Sequence, residues 1–127
     1  MKNKWSSSWK SSKQPRKQRK YRYNAPLHIR NKMMAAPLSK ELREKYKIRN
    51  ITVRKEDRVK VLKGKYKGKI GKIQRRDLKN YKIFIKGVEV AKKDGTTFPY
   101  WISPSKVIVL ELALDDKKRK AKLEKEK

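Results

Sequence analysis

The sequence predicts a mainly-β protein: one small closed or nearly closed barrel, flanked by basic extensions. Three observations predict it. Apolar residues alternate with polar ones at a period of two only within residues 57–112. An Asp94-Gly95 pair sits between two such runs, where positive φ favours a hairpin. The chain outside that window is dominated by Lys and Arg and is poor in aliphatic side chains. Five short strands in about 56 residues are too few for two full sheets, and closing one sheet removes its sticky edges.

Residues 1–24 contain nine Lys/Arg and no acid. Met1 apart, the aliphatic side chains that build cores are missing. Such a segment does not offset its ordering entropy alone, so disorder is expected in isolation, with ordering on a partner. Trp5, Trp9, Tyr21 and Tyr23 are interleaved with the cations. Aromatics among cations suit base stacking as well as phosphate neutralisation. The candidate nucleic-acid contacts here are Lys13, Arg16, Lys17, Arg19, Lys20, Tyr21, Arg22, Tyr23 and Asn24. The plainer alternative is a solubilising tail.

Residues 25–56 are predicted as a connector with one helix over about 39–47. Pro26 and Pro37 are breakers, Ser39 is a good N-cap, and Glu41 lies in the first turn, where the helix dipole favours an acid. Leu38, Leu42 and Tyr46 make a narrow apolar stripe. The polar face carries Lys40, Arg43 and Lys47, either merely solvated or turned to nucleic acid.

In the barrel region, Val59 and Val61 alternate with lysine. Tyr81, Ile83 and Ile85 alternate with Lys82, Phe84 and Lys86. Val88 and Val90 follow, then Phe98, Tyr100 and Ile102, then Val107, Val109 and Leu110. A core this small is marginal by surface-to-volume scaling. Residues 113–127 favour helix by propensity but offer little apolar surface, which predicts a frayed helix or a tail that orders on binding.

The stretch VKVLKGKYKGKIGKI at 59–73 holds three glycines and six lysines. Gly64 and Gly68 bracket a loop between two strands. Glycine there permits positive φ and lets a phosphate backbone approach without a Cβ in the way. Lys63, Lys65, Lys67, Lys69 and Lys72 surround that approach, and Tyr66 at the loop tip offers a ring face. Gly71, between Ile70 and Ile73, fits a bend in a barrel strand.

Charge narrows the partner. The chain has 127 residues, 40 Lys+Arg against 12 Asp+Glu, and a formal net charge of +28. That surplus opposes compaction by self-repulsion and makes sense when a polyanion neutralises it. No apolar run approaches the ~20 residues that span a bilayer. The N-terminus lacks the apolar core of a signal peptide. With no Cys there is no disulfide framework, which is compatible with a reducing cytoplasm.

DRVKVLKGKYKGKIGKI resembles a KOW motif. NAPLHIRNKMMAAPLSKELREKY at 24–46, GTTF at 95–98 and PSKVIV at 104–109 resemble one family that carries it. That family is the large-subunit ribosomal protein numbered twenty-four in bacteria and twenty-six in eukaryotes. The resemblance covers roughly residues 13–115, and SKQPRKQRK at 12–20 is similar to the archaeal branch. The first ten residues and YWI at 100–102 fall outside the pattern. The resemblance implies an SH3-like barrel that binds large-subunit ribosomal RNA, acts early in subunit assembly and ends near the mouth of the peptide exit tunnel. It directs attention to the Lys63–Lys72 loop, to His28, Arg30 and Lys32, and to the Asp94-Gly95 hairpin as a protruding element. Lys92, Lys93 and Lys106 complete the candidate contacts.

Catalysis is not expected. His28 is the one histidine, in a proline-flanked connector without a neighbouring acid, and a zinc site needs several ligands. No GK[ST] follows the glycines, so there is no phosphate loop. Asp115-Asp116 reads as a helix cap, and Asp57 as local charge balance beside Arg54, Lys55 and Arg58. No cofactor, small-molecule substrate, membrane or homo-oligomer is expected. The expected partners are ribosomal RNA and neighbouring ribosomal proteins, on cytoplasmic ribosomes. The alternatives are a KOW-containing transcription elongation factor and a nucleoid-packaging protein. The first usually has an additional α/β domain before the barrel, for which a basic connector leaves no room. The second would not need the 24–46 block.

Overall fold

A computed structural model describes residues 5, 6, 8 and 11–125. Three helices and a two-stranded ribbon precede the barrel. Helix α1 (Pro15–Asn24) begins with proline at its first position, where a missing N–H costs nothing. Helix α2 (Leu27–Met33) follows after Pro26. Strand β1 (Ala35–Pro37) pairs antiparallel with β2 (Asn50–Thr52), with Ala36 opposite Ile51. Between them lies α3 (Lys40–Tyr46), within one residue of the predicted helix at each end. The Ser39 side chain accepts from the Leu42 N–H (3.5 Å), and Lys47 closes the other end in the left-handed region at φ 59°.

The barrel is built from β3 (Arg58–Val61), β4 (Ile70–Asp77), β5 (Lys82–Ala91), β6 (Thr97–Ile102) and β7 (Val107–Glu111). All neighbours are antiparallel, in the order β6-β5-β4-β3-β7. A 3-10 turn at Pro104–Lys106 carries the chain from β6 to β7, which returns to pair with β3. The result is the small barrel that the alternation predicts, in the SH3-like form that the family resemblance implies. The register shifts between Ile73 and Arg75, so β4 bends and serves both halves of the barrel. Gly71 permits this crossing. A Cβ there would lie 2.5 Å from the Lys86 carbonyl oxygen, so the requirement is close backbone approach.

Alternation fixes the core. Val59, Val61, Ile73, Ile83, Ile85, Val107 and Val109 are essentially inaccessible to solvent. Met34, Ala36, Leu38 and Val53 are as deeply buried in the same cluster, so the connector supplies part of the barrel's own core. Leu38 forms a parallel bridge to Val109, and the Ser39 N–H donates to the Val109 carbonyl (2.9 Å).

The extension holds more helix than the single one expected. Helix α1 buries no residue. It is held by polar and cation–π contacts that hydrophobic periodicity does not register. The Arg22 guanidinium lies 4.5 Å from the Tyr81 ring centroid, and the Tyr81 hydroxyl donates to the Arg22 carbonyl. Arg30 donates to the carbonyls of Ala25 (2.7 Å), Lys79 (2.6 Å) and Tyr23, tying the end of α1 to the β4–β5 turn. Arg76 bonds Asn31 Oδ1 and the Val53 carbonyl, both at 2.9 Å, and burial beside Arg54 lowers its pKa.

The C-terminal segment is docked rather than frayed. Helix α4 (Lys117–Lys125) buries Leu123 and Arg119. Asp57 is fully buried and receives Arg119 in a two-pronged pair, Nη1 to Oδ1 at 2.7 Å and Nη2 to Oδ2 at 2.6 Å. The same carboxylate accepts the Arg54 and Ala113 N–H groups, each at 2.9 Å. Asp57 therefore answers a cation 62 residues away, in addition to its sequence neighbours. Asp116 caps α4 as predicted, accepting the Lys118 N–H at 3.0 Å, and also pairs with Arg54. The Arg54 hydrogen bond holds the Asp116 carboxyl below its ordinary range.

Candidate nucleic-acid interface

The glycine loop forms as expected at its backbone. Gly64 and Gly68 take φ of 98° and 90°, and the Gly68 N–H closes the loop on the Val61 carbonyl (2.8 Å). Lys63, Lys65, Lys67 and Lys69 are all exposed, as is Lys72 on β4. Tyr66 differs from expectation. Its ring folds back from the tip, 5.1 Å from the Tyr100 ring, and its hydroxyl donates to the Glu89 carbonyl at 2.8 Å. Lys65 and Lys69 place their ammonium groups 5.8 and 5.3 Å from the Tyr66 ring centroid.

Lys63, Gly64, Lys65, Tyr66 and Lys106 meet Tyr100 and Trp101 around a shallow hollow of about 60 Å³. Ser103 lines both this hollow and a larger one, about 470 Å³, whose other wall is Gln18, Tyr21 and Arg22 of α1 with Tyr81. Through Ser103, at the edge of the 3-10 turn, the hollow beside the lysine loop adjoins the one that Arg22 of α1 lines. On α1, Arg16, Arg19, Lys20, Arg22 and Tyr23 are exposed; Lys17, Tyr21 and Asn24 are half-buried. Lys13 is exposed just ahead of the helix. The Trp5 ring lies 5.3 Å from that of Tyr21, beside a third hollow lined by Arg16, Lys17 and Lys20. Trp9 lies outside the described residues.

The other predicted residues are dispersed. His28 and Lys32 of α2 line a separate cleft of about 670 Å³ with Arg54, Lys118 and Lys122. Arg30 is spent on three internal carbonyls. Arg43 is half-buried on α3. Lys92 and Lys93 are exposed at the β5–β6 turn. That turn has a three-residue loop rather than two: the Lys92 N–H reaches the Thr96 carbonyl (2.7 Å), and Gly95 sits at φ 89°. Asp94 Oδ1 accepts from the Thr96 hydroxyl (2.7 Å) and N–H (3.0 Å), which depresses its pKa.

Sequence reasoning missed the outer face of β4–β6. Arg75 lies 4.4 Å from the centroid of Phe84, and Lys82 lies 4.3 Å from that of Trp101, itself opposite Phe84 in the register. The signal was available: β6 carries Phe98, Tyr100 and Trp101, more aromatic surface than one inward face can bury. Among the described residues, no group of three or more His, Asp or Glu could hold a metal ion, and no helix is long and apolar enough to cross a membrane.

Residues 12–126 match the family model of the eukaryotic ribosomal proteins L26 and their archaeal L24 counterparts. The chain belongs to this family. It is 52% identical over 113 residues to the large ribosomal subunit protein uL24 of Korarchaeum cryptofilum (strain OPF8), covering 89% of this chain and 86% of the relative. Membership of the archaeal-type ribosomal family agrees with the KOW stretch and with the blocks at 24–46 and 104–109. The family match also takes in α1 and α4, outside the barrel proper.

Proposed function

We propose that this protein is a component of the large ribosomal subunit that binds ribosomal RNA through the face running from α1 to the lysine loop. The observation that carries the reading is the continuity of that face. Tyr21 lines both the hollow of Arg16 and Lys20 and that of Arg22, and Ser103 lines both the hollow of Arg22 and that of Lys63, Lys65 and Lys106. The named archaeal relative supports the ribosomal setting. The barrel holds one end of the cationic track rigid, and recognition is mainly of backbone and shape. On this reading the protein joins the subunit early, meets neighbouring ribosomal proteins, and lies near the mouth of the peptide exit tunnel, as the family resemblance implies.

Changing Lys65 and Lys67 to alanine tests the loop. Both side chains are exposed, so the circular dichroism spectrum stays unchanged while affinity for large-subunit RNA falls. If about eight phosphates are neutralised, log affinity falls against log salt with a slope of roughly −6 to −7. A slope shallower than about −2 shows that charge is not what binds. Unchanged affinity in the double variant removes the loop from the interface.

A further inference from the structure

The cationic track leaves the aromatic side of β6 unexplained. Phe98, Tyr100 and Trp101 are 41%, 36% and 45% exposed, and of the six residues of this strand only Ile102 is buried. The rings of Tyr66, Tyr100 and Trp101 run in sequence at 5.1 and 6.3 Å, the last pair nearly parallel at 12°. Cations sit against this surface: Lys82 over Trp101, Lys92 over Phe98 at 5.2 Å, Lys65 and Lys69 over Tyr66. Lys63 and Lys106 rim the hollow beneath. One acid, Glu89, occurs in β5 and β6 together.

The geometry points to a platform for unpaired RNA bases, with Tyr100 and Trp101 stacking the base and Lys63, Lys82 and Lys106 taking the flanking phosphates. The inference rests on the RNA-binding reading above and adds a site for single-stranded nucleotides to it. A hollow of about 60 Å³ is too shallow to enclose a nucleotide, so a base lies flat across it. Lys82 covers the Trp101 ring in the free protein, but an exposed cation–π contact is worth only about two- to fivefold. A base–aromatic stack is worth about five- to 150-fold, so the base displaces the ammonium, which turns to a phosphate. Duplex RNA has no free base face to offer, so the platform selects single strands. Aromatic grooves also dock proline-rich peptides. The ring of ammonium groups fits a ligand that carries one negative charge for every base.

The chain has three tryptophans. A full-length Trp5→Phe/Trp9→Phe variant leaves Trp101 as the only one. Its emission is titrated with a short oligoadenylate, with an RNA duplex, with polyglutamate and with an acidic proline-rich peptide. Saturable quenching by oligoadenylate, absent with polyglutamate, is the expected result. Tyr100→Ala and Trp101→Val each lower oligoadenylate affinity about tenfold and leave duplex affinity unchanged. The Tyr100→Ala variant and the quenching itself stand as tests if Trp101→Val fails to fold. Equal quenching by polyglutamate, or quenching by the peptide in place of oligoadenylate, overturns the platform. Duplex binding with no response to oligoadenylate overturns the platform and leaves the ribosomal RNA reading intact. Failure to bind either RNA overturns both.

Discussion

Removing the Asp57 carboxylate is the sharpest test of how the extensions are held. In Asp57→Ala the Arg119 guanidinium, 5% exposed, loses both of its carboxylate bonds (2.7 and 2.6 Å). The Arg54 and Ala113 N–H groups lose their acceptor as well. Breaking a buried pair by deleting one partner costs about 3–5 kcal/mol, because the other charge is left uncompensated. Helix α4 can peel away so that Arg119 rehydrates, but this exposes Leu123, whose burial contributes about 1.5–3 kcal/mol. Neither route is cheap, and about 4 kcal/mol is a large share of the 5–15 kcal/mol of a typical domain. For a chain of this length the melting temperature should fall by about 10–20 °C.

Arg119→Ala should cost less, because Asp57 keeps its two backbone donors. The double variant should be little worse than Asp57→Ala alone, since both changes break the same pair. Thermal and urea denaturation followed by circular dichroism, in salt high enough to screen surface repulsion, measures all three. The reasoning is refuted if either single change costs under about 1 kcal/mol, the level of an exposed ion pair. Strict additivity of the two would refute it equally.

Two further outcomes follow from local geometry. Gly71→Ala drives a Cβ to 2.5 Å from the Lys86 carbonyl, so it should destabilise the barrel by about 1–3 kcal/mol in urea melts; a neutral result would mean that β4 and β5 do not cross so closely. Asp94 and Asp116 are held below the ordinary aspartate value of 3.8 by hydrogen bonds from Thr96 and Arg54 respectively. A depressed folded-state pKa stabilises at pH above the unfolded value and loses that contribution as pH falls through the folded one. The β5–β6 turn and the α4 cap should therefore persist at neutral pH and loosen only below pH 3.8. Carboxyl NMR titration should give both midpoints under that value, and a midpoint above it removes the bond in question.

The barrel was legible because each strand buries one face, so the side-chain period of two is written into Val59/Val61, Ile83/Ile85 and Val107/Val109. Helix α3 was legible because its start is chemical: Ser39 accepts a hydrogen bond the helix leaves unmade. Helices α1 and α2 were not, since neither buries a residue and their attachment runs through Arg22, Arg30 and Tyr81. Strands β1 and β2 have three residues each, too few to show a period. In the site, the lysines and glycines of the loop declared themselves. The turn of Tyr66 toward Tyr100 did not, because its cause lies 34 residues on, in an edge strand read as ordinary alternation.

The placement of the acids ties these facts to function. Four of the five aspartates, at 57, 77, 94 and 116, accept backbone N–H bonds at a turn or a helix start. Asp57 and Asp116 also anchor α4 through Arg119 and Arg54, and Glu111 ties β7 to β3 through Arg58. The scarce negative charge is thus placed where segments join. Between Asp57 and Asp77 the chain carries no acid at all, yet this stretch presents Lys60, Lys63, Lys65, Lys67, Lys69 and Lys72. A fold selected for its own stability would place carboxylates opposite some of these side chains, because like charges held close together repel. The joints are compensated and the loop is not. On the proposed RNA-binding reading, the loop's counter-charge comes from outside the chain, and a phosphate backbone is the polyanion that supplies it.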